Sequence, residues 1–291
     1  MPTTTIFQPK YENSWALVIG INDYRATSPL EYARHDAEVL AQSLIETFQF
    51  PEQNVRVLLD EQASRDRIMS TFLGFTADRF LPDDRLLVFF AGHGHTKTGR
   101  RGDVGYLVPV DGDPGDLSTL IRWDDLTRNA DLIRAKHILF LMDACYGGLA
   151  LSRAVPPGSS RFLKDMLQRY SRQVLTAGKA DELVADSGGP RAGHSIFTGH
   201  LLDSLGGTTT TTDGTISANA VMAYVYDRVA KDPNSRQSPH YGFIDGDGDF
   251  IFAAPNLIQL ESDTEVDKVD KDVLIQVPAS AAPLIPDDAE T

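Results

Sequence analysis

The amino-acid sequence predicts an α/β protein built on a mostly parallel six-stranded sheet with helices on both faces. Short apolar runs alternate along the chain with longer segments whose apolar residues recur at helical spacing. No linker-like break interrupts this alternation between Trp15 and Phe252. The 291 residues, 42% of them hydrophobic, are therefore expected to bury a sizeable core in a single domain.

Six apolar runs are predicted as strands because each is too short for a helix and is bounded by turn-forming residues. These strands are residues 15–21, 55–59, 86–90, 137–145, 172–178 and 250–252. Helices are predicted where the apolar period is close to 3.6, with a weaker signal over the fourth segment. They cover residues 30–48, 63–80, 123–134, 162–170, 195–205 and 218–230.

The remaining segments are polar or rich in glycine and are predicted loops. Residues 97–123 are expected to hold a short hairpin near positions 106–109, and residues 147–160 and 179–195 form two further loops. Residues 1–13 are an irregular lead-in to a folded domain over residues 14–255. Residues 256–291 carry nine acidic and two basic side chains, three prolines and no aromatic residue, which predicts a disordered or loosely docked tail.

The net charge of −14, from 27 basic and 41 acidic residues, argues against a protein that binds the phosphate backbone of nucleic acids. The tail holds half of this excess. The first residues have no basic segment followed by an apolar one, and no apolar run is long enough to cross a membrane. A single cysteine excludes an intramolecular disulfide and suits a reducing cytoplasm.

Reactive side chains follow two of the predicted strands. His93 comes just after the third strand, and Cys145, the only cysteine, ends the fourth. The carboxyl ends of parallel strands meet at one edge of a sheet, so both residues are expected there. A cysteine hydrolase needs a thiolate, a base and donors for the oxyanion, and the backbone N–H groups of Gly94 and Cys145 are candidate donors.

Taken singly, each residue has a plainer interpretation: a lone cysteine is commonly an inert buried thiol, and a lone histidine is commonly structural. A metal site is not expected, because no acidic or Cys/His spacing completes one around His93 and His95. The run from Asp245 to Asp249 fails the EF-hand template, whose sixth and twelfth positions would be Phe250 and Asn256. We therefore expect no cofactor.

The two motifs together resemble those of the caspase-like peptidases. The nucleophile motif of caspases has its histidine about 50 residues upstream, and here His93 precedes Cys145 by 52 residues. An aspartate two residues before the cysteine, Asp143, is similar to the metacaspase and bacterial branch. The resemblance covers residues 14–253, with supporting segments at 15–22, 33–37, 176–178, 194–198 and 246–252.

The resemblance implies a caspase-like fold and a cysteine endopeptidase, with Cys145 as nucleophile and His93 as base and proton shuttle. Asp36 and Asp143 match positions that line an acidic specificity pocket in this branch, which implies cleavage after Arg or Lys. Ala91 departs from the serine that often stands two residues before the histidine.

The expected partner is a protein or peptide substrate. The family also suggests a zymogen, activated by a protease or a regulatory protein, with loop cleavage near Arg153, Arg161, Lys179 or Arg191. Two alternatives stay open: a non-catalytic caspase-like scaffold, and a peptidase specific for Asp or Asn.

Overall fold

The computed structural model describes residues 10–100, 102–146, 166–179, 186–210 and 215–253, and of residues 145, 146, 179 and 253 only the backbone. The elements in chain order are β1 (Ser14–Gly20), α1 (Ala33–Glu46), β2 (Val55–Leu59), α2 (Arg65–Leu73), β3 (Arg85–Ala91), β4 (Gly94–Gly99), β5 (Gly102–Leu107), β6 (Ile121–Arg122), α3 (Trp123–Ala130), β7 (His137–Tyr146), β8 (Ser171–Lys179), α4 (Ile196–Asp203), β9 (Thr215–Ser217), α5 (Ala218–Lys231), β10 (His240–Gly246) and β11 (Ile251–Ala253).

The central sheet has six strands in the order β10-β8-β7-β3-β1-β2. Five are parallel, and β10 runs antiparallel to β8. One apolar cluster packs α1, α4 and α5 on one face, and a second packs α2 and α3 on the other. The prediction of a mostly parallel six-stranded sheet covered on both faces is confirmed.

The identity of the sixth strand was predicted wrongly. Residues 250–252 were assigned to the sheet, but β11 pairs with β9 in a separate two-stranded sheet. The sixth strand is β10, which the sequence did not reveal because its apolar residues are interrupted by Gly242 and Asp245. An edge strand is covered on one side only, so it needs no continuous apolar run.

A three-stranded sheet follows His93 directly and was only partly predicted. Strands β4, β5 and β6 pair in sequence, so the hairpin begins at Gly94 rather than near residue 106. The polar residues of β4 hid this strand, because it is half-buried or exposed along its length.

Three predicted helices are shorter than expected, and one of them, α3, ends at Ala130 rather than near residue 134. Helix α1 begins at Ala33 rather than near residue 30, and its first backbone hydrogen bond runs from the Asp36 N–H to the Tyr32 carbonyl. Helix α2 ends at Leu73, before Gly74, although Phe75 and Phe80 beyond it are buried as predicted.

Serine caps begin three of the helices. Ser64, Ser195 and Ser217 accept hydrogen bonds from N–H groups three residues further on. Residues 162–165 of the predicted helix over 162–170 lie outside the described residues, as do the predicted loop over 147–160 and the tail, whereas residues 166–168 are helical. Within the described ranges, no helix has the length and apolar character needed to cross a membrane.

Candidate active site

The strand register brings the backbones of His93 and Cys145 to the same edge of the sheet. Ala91 of β3 lies opposite Asp143 of β7. His93 comes two residues after Ala91, and Cys145 comes two residues after Asp143. The N–H of Gly92 donates to the Asp143 carbonyl at 3.2 Å, which extends the contact past the last register pair. The backbone of Cys145 lies opposite Gly178, whereas its side chain is outside the described part of the chain.

The imidazole of His93 is held by the segment between β1 and α1. Its Nε2 donates to the Ser28 carbonyl at 2.8 Å, and its backbone N–H donates to the Tyr24 hydroxyl at 2.8 Å. The Tyr24 ring lies 4.8 Å from the imidazole centroid. With the Nε2 proton committed to a carbonyl, Nδ1 is left to exchange a proton with a nucleophile.

Glycines bound this site closely. A Cβ at Gly92 would lie 2.4 Å from the Tyr24 hydroxyl oxygen, so only glycine lets the tyrosine reach the His93 backbone. Gly94, a predicted oxyanion donor, is the first residue of β4 and lies opposite Leu107. Strand β4 packs beside β7, which puts this predicted donor next to the strand that carries Cys145.

Asp36 and Asp143 lie together in the interior, with exposed fractions of 0% and 4%. Asp36 comes from the first turn of α1, and Asp143 from the end of β7. The start of α4 contacts both. Ser195 donates its backbone N–H to Asp36 Oδ2 at 3.2 Å and its hydroxyl to Asp143 Oδ2 at 2.5 Å.

Further hydrogen bonds fix each carboxylate. Thr198 donates its hydroxyl to Asp143 Oδ2 at 2.6 Å, and His194 Nδ1 donates to Asp36 Oδ1 at 2.6 Å. The other oxygen of Asp143, Oδ1, is buried and has no hydrogen-bond partner among the described residues. Of the four carboxylate oxygens of the pair, Asp143 Oδ1 is thus the one without a hydrogen-bond partner among the described residues.

Burial raises the pKa of both acids to about 7. For Asp143 the second cause is the negative charge of Asp36, since two carboxylates at close range cannot both ionise easily. An organic cation would relieve both effects by supplying the missing positive charge. Arrangements of this kind, with like charges and desolvation concentrated in one place, are characteristic of functional sites.

Sequence reasoning missed Asp186. This carboxylate accepts hydrogen bonds from the backbone N–H groups of Glu31 and Tyr32, which lie just before α1. Burial raises its pKa, and the charge of His93 lowers it, so it shares the electrostatic environment of the candidate site. Nothing in the sequence separates it from Asp181 and Glu182 in the same loop.

His194 was also missed as a partner of Asp36. Its ring stacks on His35 with centroids 4.8 Å apart and an interplanar angle of 28°. The resemblance pointed to its segment without assigning this contact. Arg191, a suggested cleavage position, pairs with Asp203 at 2.6 Å, whereas Arg153, Arg161 and the Lys179 side chain lie outside the described residues.

Among the described residues, no group of three or more His, Cys, Asp or Glu side chains is arranged to hold a metal ion. The acidic run that opens at Asp245 forms a turn instead. Gly246 has φ of +74°, and the N–H groups of Asp247 and Gly248 both donate to the Tyr170 carbonyl.

Comparison with known proteins matches residues 13–245 to the family model described as the caspase domain, Peptidase_C14. Metacaspase-6 of Arabidopsis thaliana is 28% identical over 151 residues, which cover 48% of this chain and 39% of that protein. Metacaspase-1 of Eremothecium gossypii is 29% identical over 150 residues, which cover 48% of this chain and 33% of that protein. The alignments thus span well under half of these relatives.

Solved structures show the same fold. Caspase-1 from Spodoptera frugiperda matches with a TM-score of 0.54 and 16% identity, over 83% of this chain and 90% of that one. Protein GSU0716 from Geobacter sulfurreducens matches with a TM-score of 0.56 and 18% identity, over 81% of this chain and 94% of that one.

Proposed function

Because the chain belongs to the caspase-domain family, Peptidase_C14, we propose that it is a cysteine endopeptidase that hydrolyses peptide bonds after Arg or Lys. One observation carries the specificity: two buried carboxylates lie together, and Asp143 Oδ1 has no partner among the described residues. A guanidinium or ammonium group supplies the hydrogen-bond donor and the positive counter-charge that are missing beside this oxygen.

The proposed chemistry uses a Cys–His dyad. His93 Nδ1 accepts the proton of the Cys145 thiol, and the resulting thiolate forms a C–S bond with the carbonyl carbon of the substrate. The N–H groups of Gly94 and Cys145 are the proposed donors to the oxyanion. His93 then protonates the leaving amine, and water hydrolyses the thioester to release the acid and restore the thiol.

The hydrogen bond from His93 Nε2 to the Ser28 carbonyl supports this role for the imidazole. It favours the tautomer whose Nδ1 is free, and it stabilises the imidazolium that forms during proton transfer. The segment that carries Ser28 is in turn anchored by Asp186, which accepts from the N–H groups of Glu31 and Tyr32. Asp186 is therefore assigned a positioning role.

We further propose activation by cleavage or by a regulatory partner. Arg153 and Arg161 follow Cys145 closely in sequence and match the proposed specificity, so the enzyme could cut its own loop. Purified Cys145→Ala protein should then stay intact where wild type fragments. Fragmentation of both proteins alike would contradict self-cleavage.

A panel of fluorogenic peptides ending in Arg, Lys, Asp or Asn tests the proposal directly. Wild type should release the fluorophore after Arg and Lys, Cys145→Ala should release none, and Asp227→Asn, an exposed change on α5, should match wild type. Turnover after Asp or Asn alone would refute the proposed pocket. Absence of turnover even after limited trypsin treatment would instead favour the non-catalytic scaffold.

A further inference from the structure

A cleft of about 370 Å³ opens between the outer strands of the sheet and helix α2. It lies toward the start of β1 and β2, whereas the candidate active site lies past the ends of β3 and β7. Its lining includes Trp15 and three arginines, Arg56, Arg67 and Arg79. We call it the arginine cleft.

Three exposed guanidinium groups converge on the arginine cleft. Arg56 lies on β2 opposite Leu17, Arg67 lies in the first turn of α2, and Arg79 lies over the rings of Trp15 and Phe80. Within the described ranges, none of the three has a carboxylate at ion-pair distance. In a protein of net charge −14, this is a local concentration of uncompensated positive charge, which attracts an anionic ligand.

The last described strand is held at the start of β1, close to the cleft residue Trp15. Arg85, which is paired in register with Ser14, donates to the Ile251 carbonyl. The Ile251 N–H donates to the Tyr11 hydroxyl at 3.0 Å. Strand β11 is thereby fixed beside Ser14, the immediate neighbour of the cleft residue Trp15.

The sequence that follows β11 has the complementary charge. Residues 261–272 contain six acidic and two basic side chains. They begin eight residues after Ala253, and eight extended residues reach up to about 27 Å. We propose that residues 261–272 bind in the arginine cleft of their own chain.

The proposed interaction is independent of peptidase activity. Exposed ion pairs are weak individually, but a tether that keeps the acidic segment close raises its effective concentration at the cleft. The interaction should therefore occur within one chain, and it should weaken as salt screens the charges.

Carbodiimide cross-linking of the full-length chain tests this proposal by comparing an amine placed in the cleft with an amine placed outside it. Arg67→Lys keeps the positive charge and introduces an amine that can be coupled to a carboxylate. The matched control is Arg128→Lys, an exposed change near the end of α3 and outside the cleft. Peptide mass spectrometry then locates each link.

We expect links from position 67 to residues 261–272 at least about fivefold more often than from position 128 at about 0.02 M salt, with the excess lost at about 0.5 M. Adding Arg56→Glu to Arg67→Lys should reduce the yield to the control level, although every carboxylate of the segment is still present. Equal yields at positions 67 and 128 would overturn the proposal. Links found only between two copies, with a yield that rises with protein concentration, would also overturn it.

Discussion

The substitution Asp143→Asn separates the functional role of the buried acid pair from its structural role. Asparagine has the same shape as the carboxyl group, and its oxygen can still accept the hydroxyl hydrogen bonds of Ser195 and Thr198. What disappears is the negative charge and the acceptor at Oδ1. Cleavage after Arg should therefore fall while the fold is retained.

The structure sets the size of both effects. Removing one partner of a buried ion pair costs about 3–5 kcal/mol, so kcat/KM for an Arg substrate should fall by roughly 150-fold to roughly 5,000-fold. The pKa of Asp143 is raised from 3.8 to about 7, and each pH unit of such a difference corresponds to about 1.4 kcal/mol. The ionised carboxylate thus costs the fold at most about 4 kcal/mol, and solvent relaxation lowers this to about 1–3 kcal/mol.

The sign of the stability change depends on pH. An acid whose pKa is raised in the folded state lowers stability as pH rises from its unfolded pKa to its folded pKa, because over that range the folded state keeps a proton that the unfolded state releases. Asp143→Asn should therefore raise Tm most at about pH 8, where the whole difference between 3.8 and about 7 has developed, and much less at about pH 4, close to the unfolded pKa. Thermal melts at both values and kinetics with Arg peptides measure this. Equal destabilisation at both pH values, or full activity toward Arg, would refute the reasoning.

Two further predictions concern the same site. The KM for an Arg substrate should rise as pH falls below about 7, since Asp36 and Asp143 both have a pKa of about 7 and lose their charge there. A KM that stays constant between about pH 5 and about pH 8 would contradict the assignment of these two acids to the specificity pocket. Tyr24→Phe should lower kcat about tenfold, because the His93 N–H loses its acceptor and the imidazole loses a fixed position. The matched change Tyr226→Phe, on the exposed face of α5, should leave kcat unchanged. An unchanged kcat in Tyr24→Phe would show that the contact is only structural.

The sequence was sufficient for the parallel sheet because its buried strands are continuous apolar runs. Strand β2 was predicted at its observed bounds, and β3 to within one residue at each end. Strands β4 and β10 were not predicted because β4 has no buried residue and β10 buries only Gly242 and Phe243, so neither has a continuous apolar run. The spacing of apolar residues reveals strands that are buried, and it gives little indication of strands whose residues are exposed to solvent.

Some residues of the candidate site could likewise be predicted from the sequence, and the contacts of others could not. His93 and Cys145 could be proposed because each follows an apolar strand, and Asp36 and Asp143 because of a resemblance. The contacts of Ser28, Asp186 and His194 depend on backbone atoms and on loops that meet only after folding. No spacing in the sequence predicts that a carbonyl before α1 meets the imidazole of His93.

The most direct test of the central claim is covalent labelling with a peptidyl chloromethyl ketone that carries Arg at the reactive end. Intact mass spectrometry should show a single adduct on wild type, and peptide mapping should place it at Cys145. The corresponding Asp reagent should label far more slowly, and Cys145→Ala should remain unlabelled. Equal labelling by the two reagents, or an adduct at any residue other than Cys145, would contradict a Cys–His peptidase with an acidic specificity pocket.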